Sequence, residues 1–291
     1  SFWGIRESIR LNVLFTIIEV LGLAIIIVVG IPFIGSVNYL ENPHGVQGVV
    51  FATALVMFAY LGFEGIVKLG EETKEPETVI PKAIIASIII TTVLYVLVGI
   101  SAVSVVPYQQ LASSPAPIAD IALRAQGGGL YGALSAISLL ATTNTTLILL
   151  IATSRILNHV AKRSAMPFLP RVHRKRGTPY FAILATAVLT VPFAFLGDIE
   201  FVASVTNFVT FAVFFTINVT VLALVRQGAC CTGPLRHGSV RRMPLIAILG
   251  AITSFLMFFQ FSLEVAAVSL LTASLGAIIY GVVVLPKAAR G

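Results

Sequence analysis

Eight apolar runs, roughly residues 11–31, 47–67, 81–103, 130–154, 180–196, 201–225, 244–262 and 265–285, occupy most of the 291-residue chain. Pro, Gly or charge clusters bound each of them. A helix needs about 20 apolar residues to cross a bilayer's hydrocarbon core, and these runs have that length. They lack the two-residue alternation of a transmembrane β-barrel, so they read as helices. Charged residues make up only 11% of the chain and apolar ones 57%, with a mean hydropathy of +0.99. A soluble domain carries about 25% charged residues. The composition therefore excludes a soluble enzyme, a disordered chain and a disulfide scaffold. The expectation is all-α: a polytopic transmembrane helical bundle of eight spans, forming one transmembrane domain over residues 1–291.

The basic residues divide unequally between alternate connections. One set holds 18 of the 19 Lys and Arg, from Arg6, Arg10, Lys68 and Lys74 through Arg171, Arg174, Lys175 and Arg176 to Lys287 and Arg290. The other holds Arg124 alone. Short loops rich in Lys and Arg stay in the cytoplasm, which places both termini there, as an even number of spans requires. The net charge of +7 is thus read as orientation in a bilayer rather than as a nucleic-acid surface. Cys230 and Cys231 adjoin in a polar stretch and suit a reduced cytosolic loop.

Ionised groups inside a span are costly, about 2.5–3.5 kcal/mol at the helix centre on insertion scales, and normally face a cavity or a partner. Only Glu19 and Glu64 among the acidic residues fall well inside runs. Asn12, Thr16 and Glu19 recur at helical spacing and share one face. Glu64 lies in Phe58-Ala59-Tyr60-Leu61-Gly62-Phe63-Glu64-Gly65, about two-thirds along its run. Glycine permits non-helical backbone, and unwound backbone at membrane depth is tolerated only where it lines a cavity or is buried in protein. Broken helices of this kind hold midplane substrates in secondary transporters; the competing reading is a close-packing glycine pair. The fourth run centres on Thr142-Thr143-Asn144-Thr145-Thr146, which reaches all sides of a helix, so at least one residue should face a polar interior. Asn207 and Thr210 share a face of the sixth run and form a weaker echo. No zinc-type His-Glu-x-x-His, phosphate-binding loop or nucleophile elbow occurs, so an intramembrane enzyme or ATP-driven pump has no visible chemistry. No metal or cofactor is expected beyond a coupling proton or sodium ion.

The Phe58–Gly65 run, followed by Glu71-Glu72-Thr73-Lys74-Glu75-Pro76 and Ile80-Pro81-Lys82-Ala83-Ile84, resembles the sixth helix and following loop of amino acid permeases of the amino acid–polyamine–organocation (APC) family. Gly4-Ile5-Arg6-Glu7-Ser8 with Asn12 resembles the entry to that family's fifth helix. Ala141-Thr142-Thr143-Asn144-Thr145 through Ser154-Arg155-Ile156-Leu157 resembles its eighth, and Thr178-Pro179 the start of its ninth. The resemblance implies helices five to twelve of a carrier with a 5+5 inverted repeat. Residues 1–45 would then be the fifth helix of the first repeat, 46–226 the second repeat, and 227–291 the last two helices. The first four helices are expected to lie outside this chain.

What the resemblance further implies is a substrate site at Phe58, Ala59, Tyr60, Leu61, Gly62 and Glu64. The carbonyls near Phe58 to Leu61 would meet the substrate amine, Phe58 or Tyr60 would close over it, and Glu64 would couple gating to protonation. Many proton-coupled members carry Lys where this chain has Glu19, a position facing the eighth helix. Ion coupling is accordingly expected at Glu19, Glu64, Thr142, Thr143, Thr145 and Thr146. The function expected is secondary transport of an amino acid across the plasma membrane by alternating access, with the bilayer as its surroundings. The alternative is a non-transporting sensor or assembly subunit that retains the fold.

Overall fold

The computed structural model describes residues 5–163, 180–194, 198–227 and 243–283. Every regular element among them is helical, which satisfies the backbone polar groups within each segment without water. The helices are α1 (Ile5–Gly30), α2 (Gly45–Tyr60), α3 (Pro76–Val105), α4 (Tyr108–Ser113), α5 (Pro117–Gln126), α6 (Gly128–Arg163), α7 (Tyr180–Ala194), α8 (Ile199–Arg226), α9 (Met243–Met257) and α10 (Leu263–Val283). The eight longest coincide with the eight apolar runs.

Among the described residues, four segments, Leu11–Phe33, Pro76–Val105, Gly128–Leu150 and Ile199–Arg226, are each long and apolar enough to cross a membrane. The last run pair, Pro244–Gln260 and Leu263–Ile278, is bent by 118°. The second run is shorter as an α-helix than expected because it stops at Tyr60. Large apolar side chains stay outward along the helices, Leu139 at 71% exposed and Leu271 at 69%. Such faces suit hydrocarbon, and the chain is an integral membrane protein. α4 and α5 lie in the connection between the third and fourth runs, where no helix was expected. Pro107 precedes α4 and Pro117 opens α5, positions where the missing amide hydrogen costs nothing.

The chain divides into two compact units. Residues 1–41, 92–195 and 280–291 make up the first. Here α1 packs against α5 and α6, around buried Ile26, Val105, Val106, Ile121, Ala122 and Leu134. Beyond α1, Ser36 Oγ donates to the Ser104 carbonyl at 2.7 Å and Tyr39 Oη pairs with Ser104 Oγ at 2.7 Å. The Gly35 amide donates to Tyr39 Oη at 2.8 Å. That amide, and then Ser104, hold the phenol below the usual tyrosine range, because both hydrogen bonds favour the ionised form.

Residues 42–91 and 196–279 form the second unit. α8 packs along α9 and also against α2. Phe208 meets Phe258 and Phe261 edge-on, with ring centroids at 4.8 and 6.0 Å. Gly250 of α9 lies against the Asn218 amide of α8, where a side-chain carbon would approach within 2.7 Å. The two helices therefore meet closely only because this residue has no side chain. α3 begins in this unit and ends in the other.

The cysteine pair Cys230–Cys231, the basic residues Arg171 to Arg176 and Thr178-Pro179 lie outside the described residues.

Candidate functional site

The second run breaks where its glycines lie. α2 ends at Tyr60, and Leu61 turns extended at φ −61° and ψ 140°. Gly62 follows at φ +122°, a conformation that side-chain-bearing residues rarely adopt. The chain then continues as a 3-10 helix over Phe63–Glu72. Runs of 3-10 helix beyond three or four residues are uncommon, and a stretch within a longer helix often marks a hinge. Three bonds fix the break. Leu61 donates to the Phe58 carbonyl at 3.3 Å, Gly65 to the Gly62 carbonyl at 2.9 Å, and Gly62 to Glu64 Oε2 at 2.7 Å. Phe63 also stacks obliquely on Phe214 of α8, with centroids 6.1 Å apart.

Chemically, the break is a negative end. The carbonyl terminus of a helix carries roughly half an elementary negative charge, and the Glu64 carboxylate sits two residues beyond Gly62. A group that donates hydrogen bonds and carries positive charge, such as an ammonium, matches it. Phe58, Ala59, Gly62 and Glu64 are exposed, while Tyr60 and Leu61 are half-buried. The structure thus brings Phe58, Ala59, Tyr60, Leu61, Gly62 and Glu64 into one segment around the break.

In the first unit, Glu19 is half-buried and its Oε1 accepts a hydrogen bond from Asn144 Nδ2 at 2.9 Å. Asn144 is only 2% exposed, and its Oδ1 is buried without a partner among the described residues. The partner of Glu19 is therefore the amide in the middle of the polar run. Thr142, Thr143, Thr145 and Thr146 are exposed. Three of them turn their hydroxyls back to their own helix, Thr142 to Ser138, Thr143 to Leu139 and Thr146 to Thr142, at 2.9, 2.7 and 2.8 Å. Thr16 likewise donates to the Asn12 carbonyl at 2.8 Å. Asn144 carried the missed signal: among five successive polar residues it alone is the one whose amide can donate at length to a carboxylate on a facing helix.

Asn207 is fully buried on α8, and its Nδ2 donates to the carbonyls of Ala54 and Leu55 on α2 at 2.9 and 3.0 Å. Thr210, its expected companion, bonds back to Thr206 at 2.8 Å. A cavity of about 330 Å³ lies nearby within the same unit, lined by Thr53 and Met57 of α2, Phe211, Phe214 and Asn218 of α8, and residues of α9. Among the described residues no cluster of His, Cys, Asp and Glu could hold a metal ion.

The amino acid permease family model matches residues 1–284. Branched-chain amino acid permease BcaP of Bacillus subtilis is 29% identical over 250 residues, 85% of this chain and 54% of its own length. Cationic amino acid transporter 1 of Arabidopsis thaliana is 31% identical over 222 residues, 75% of this chain and 37% of its own. The methylthioribose transporter of Bacillus subtilis is 28% identical over 247 residues, 84% of this chain and 53% of its own. The chain thus spans about half, or less, of the length of these relatives, which are transporters rather than enzymes. With nearly all of its residues covered by that one match, the chain belongs to the amino acid permease family.

Proposed function

We propose that this chain serves a secondary carrier that moves an amino acid across the plasma membrane by alternating access. One observation carries the reading: a helix that ends in carbonyls at Tyr60 and turns through Gly62 at φ +122°, whose amide donates to the Glu64 carboxylate. That arrangement offers an ammonium both a helix terminus and a carboxylate, the pairing that broken helices present to substrates in secondary transporters. Phe58 or Tyr60 closes over the ligand, and the backbone from Phe58 to Leu61 receives its amine. Two of the relatives are named for amino acids, one branched-chain and one cationic, which supports the substrate class. The third is named for methylthioribose, so the class needs a direct test.

Coupling is assigned to Glu19 and Glu64, together with Thr142, Thr143, Thr145 and Thr146, which flank Asn144, the partner of Glu19, along α6. A proton or a sodium ion is the coupling species. Orientation follows the basic loops, with both ends of the chain in the cytoplasm, and residues 46–226 act as the second of two inverted repeats.

Recognition is tested with the complete reading frame that contains residues 1–291, purified into proteoliposomes. Uptake of labelled leucine or arginine should be competed by free amino acids and not by their N-acetyl derivatives. Equal competition by both would remove the ammonium from the recognition chemistry. Competition by methylthioribose alone would replace the substrate class.

A further inference from the structure

The amide of Asn207 is spent on the backbone of another helix rather than on its own. Its two hydrogens go to consecutive carbonyls, Ala54 at 2.9 Å and Leu55 at 3.0 Å. Its oxygen is left buried with no partner among the described residues. The orientation of the amide is fixed by this environment, since a flipped amide would set its oxygen against two acceptors. An orphaned buried acceptor is unfavourable, and a leucine would fill the same space without it. The residue is therefore explained by its two donor bonds rather than by its packing.

Where those bonds land gives them meaning. Ala54 and Leu55 lie one helical turn before Phe58 and Ala59, and α2 ends at Tyr60. Their carbonyls are those that the amides of Phe58 and Ala59 use in a regular helix, and each carbonyl has a second lone pair for Asn207. Beside this turn, Thr53 and Met57 face the cavity of about 330 Å³ that also touches Phe211, one turn along α8 from Asn207. The side of the turn that faces this cavity has no packed neighbour among the described residues, and the Asn207 bonds tie its other side to α8. We propose that Asn207 is a positioning residue for the substrate site: it fixes the last turn of α2 to α8, and α8 thereby sets where the carbonyls of the break are presented. This rests on reading the break as the substrate site. Ser269 supplies a contrast: it is just as buried on α10, but its hydroxyl donates at 2.7 Å to the Val265 carbonyl of its own helix, reaches Val205 of α8 only at 3.4 Å, and has no link to the break among the described residues.

The test compares wild type, Asn207→Leu, Asn207→Gln and Ser269→Ala in the complete reading frame, by initial uptake rates across substrate concentration and by amide hydrogen exchange of residues 58–61. Asn207→Leu should raise KM about tenfold with kcat within about twofold and should speed exchange in that turn. Asn207→Gln, which keeps both donors, should recover part of the change, and Ser269→Ala should leave KM and exchange at 58–61 as in wild type. If Asn207→Leu does not accumulate, Asn207→Ser, with one donor, takes its place in both measurements. Wild-type KM and exchange in the Leu variant would overturn the proposal, as would a KM change matched by Ser269→Ala. If the wild type takes up no amino acid, the transport reading fails, and unchanged or faster exchange at 58–61 still decides whether Asn207 holds the turn.

Discussion

Glu19 on α1 and Asn144 on α6 are 125 positions apart in sequence, and their side chains meet at 2.9 Å. The bond joins the one carboxylate of the first run to the most buried residue of the fourth run's polar centre. Hydrogen bonds to charged groups contribute about 1.5–3 kcal/mol, and a buried polar group that loses its partner costs more than one removed together with it. Asn144→Leu should therefore lower the midpoint of thermal unfolding in detergent more than the double variant Glu19→Leu with Asn144→Leu. Equal loss in the two would show that the pair is incidental.

Gly62 and Gly65 separate backbone strain from crowding. A side-chain carbon at either position would meet nothing within 4 Å, but only Gly62 has positive φ, at +122°. Holding another residue in such a region costs about 1–3 kcal/mol. Gly62→Ala should cut uptake by at least about tenfold, while Gly65→Ala retains most of it. Initial uptake rates at matched protein levels measure the difference; equal tolerance at both positions would remove the conformational role of Gly62.

Glu64 caps Gly62 through a bond that a glutamine can still accept. Glu64→Gln should thus preserve the fold and substrate affinity but flatten the dependence of uptake on pH. Glu64→Ala, which removes the acceptor, should raise KM as well. Glu19→Gln is expected to have the smaller effect on pH dependence, because Glu64 adjoins the break. A normal rate and pH profile in Glu64→Gln would exclude the residue from coupling.

Tyr39 offers a pH test outside the spans. Its phenol is held below the ordinary value of 10.0, first by the Gly35 amide and then by Ser104. Since the folded form ionises more readily than the unfolded chain, the group's contribution to stability appears as pH rises through the lowered value, is complete above 10.0, and is lost as pH falls back. Wild type should therefore gain stability relative to Tyr39→Phe as pH approaches 10. The reverse trend in urea or thermal unfolding would contradict the assignment.

Orientation can be checked independently of transport. Single cysteines at Leu40 and Ser113 should react with an impermeant thiol reagent applied from outside the cell, and one at Lys74 should not, as the division of basic residues requires. Reversed labelling would invert the topology.

The eight helices were legible because a bilayer leaves few alternatives for apolar runs of this length. The break was legible as well, since Gly62 and Gly65 flank a glutamate inside such a run. Its continuation as a 3-10 helix was not, because both helical forms bury similar periodic patterns over so few residues. The polar face of α1 identified Glu19 but not its partner, since five successive polar residues on α6 give no rotational register. Asn207 showed itself as a polar residue in a span, yet its reach to Ala54 and Leu55 depends on how α2 and α8 pack. α4 and α5 escaped notice because their short amphipathic stretches, with Pro117, Ile118, Ile121 and Ala122, are overshadowed by the long runs on either side.

Alternating access itself is tested most directly by counterflow. Proteoliposomes holding the complete reading frame are loaded with an unlabelled amino acid and diluted into a trace of the labelled one. A carrier exchanges the two and accumulates label transiently above equilibrium, and Gly62→Ala should reduce that overshoot. Saturable binding of the amino acid with no overshoot would contradict transport and mark the protein as a sensor that keeps the permease fold.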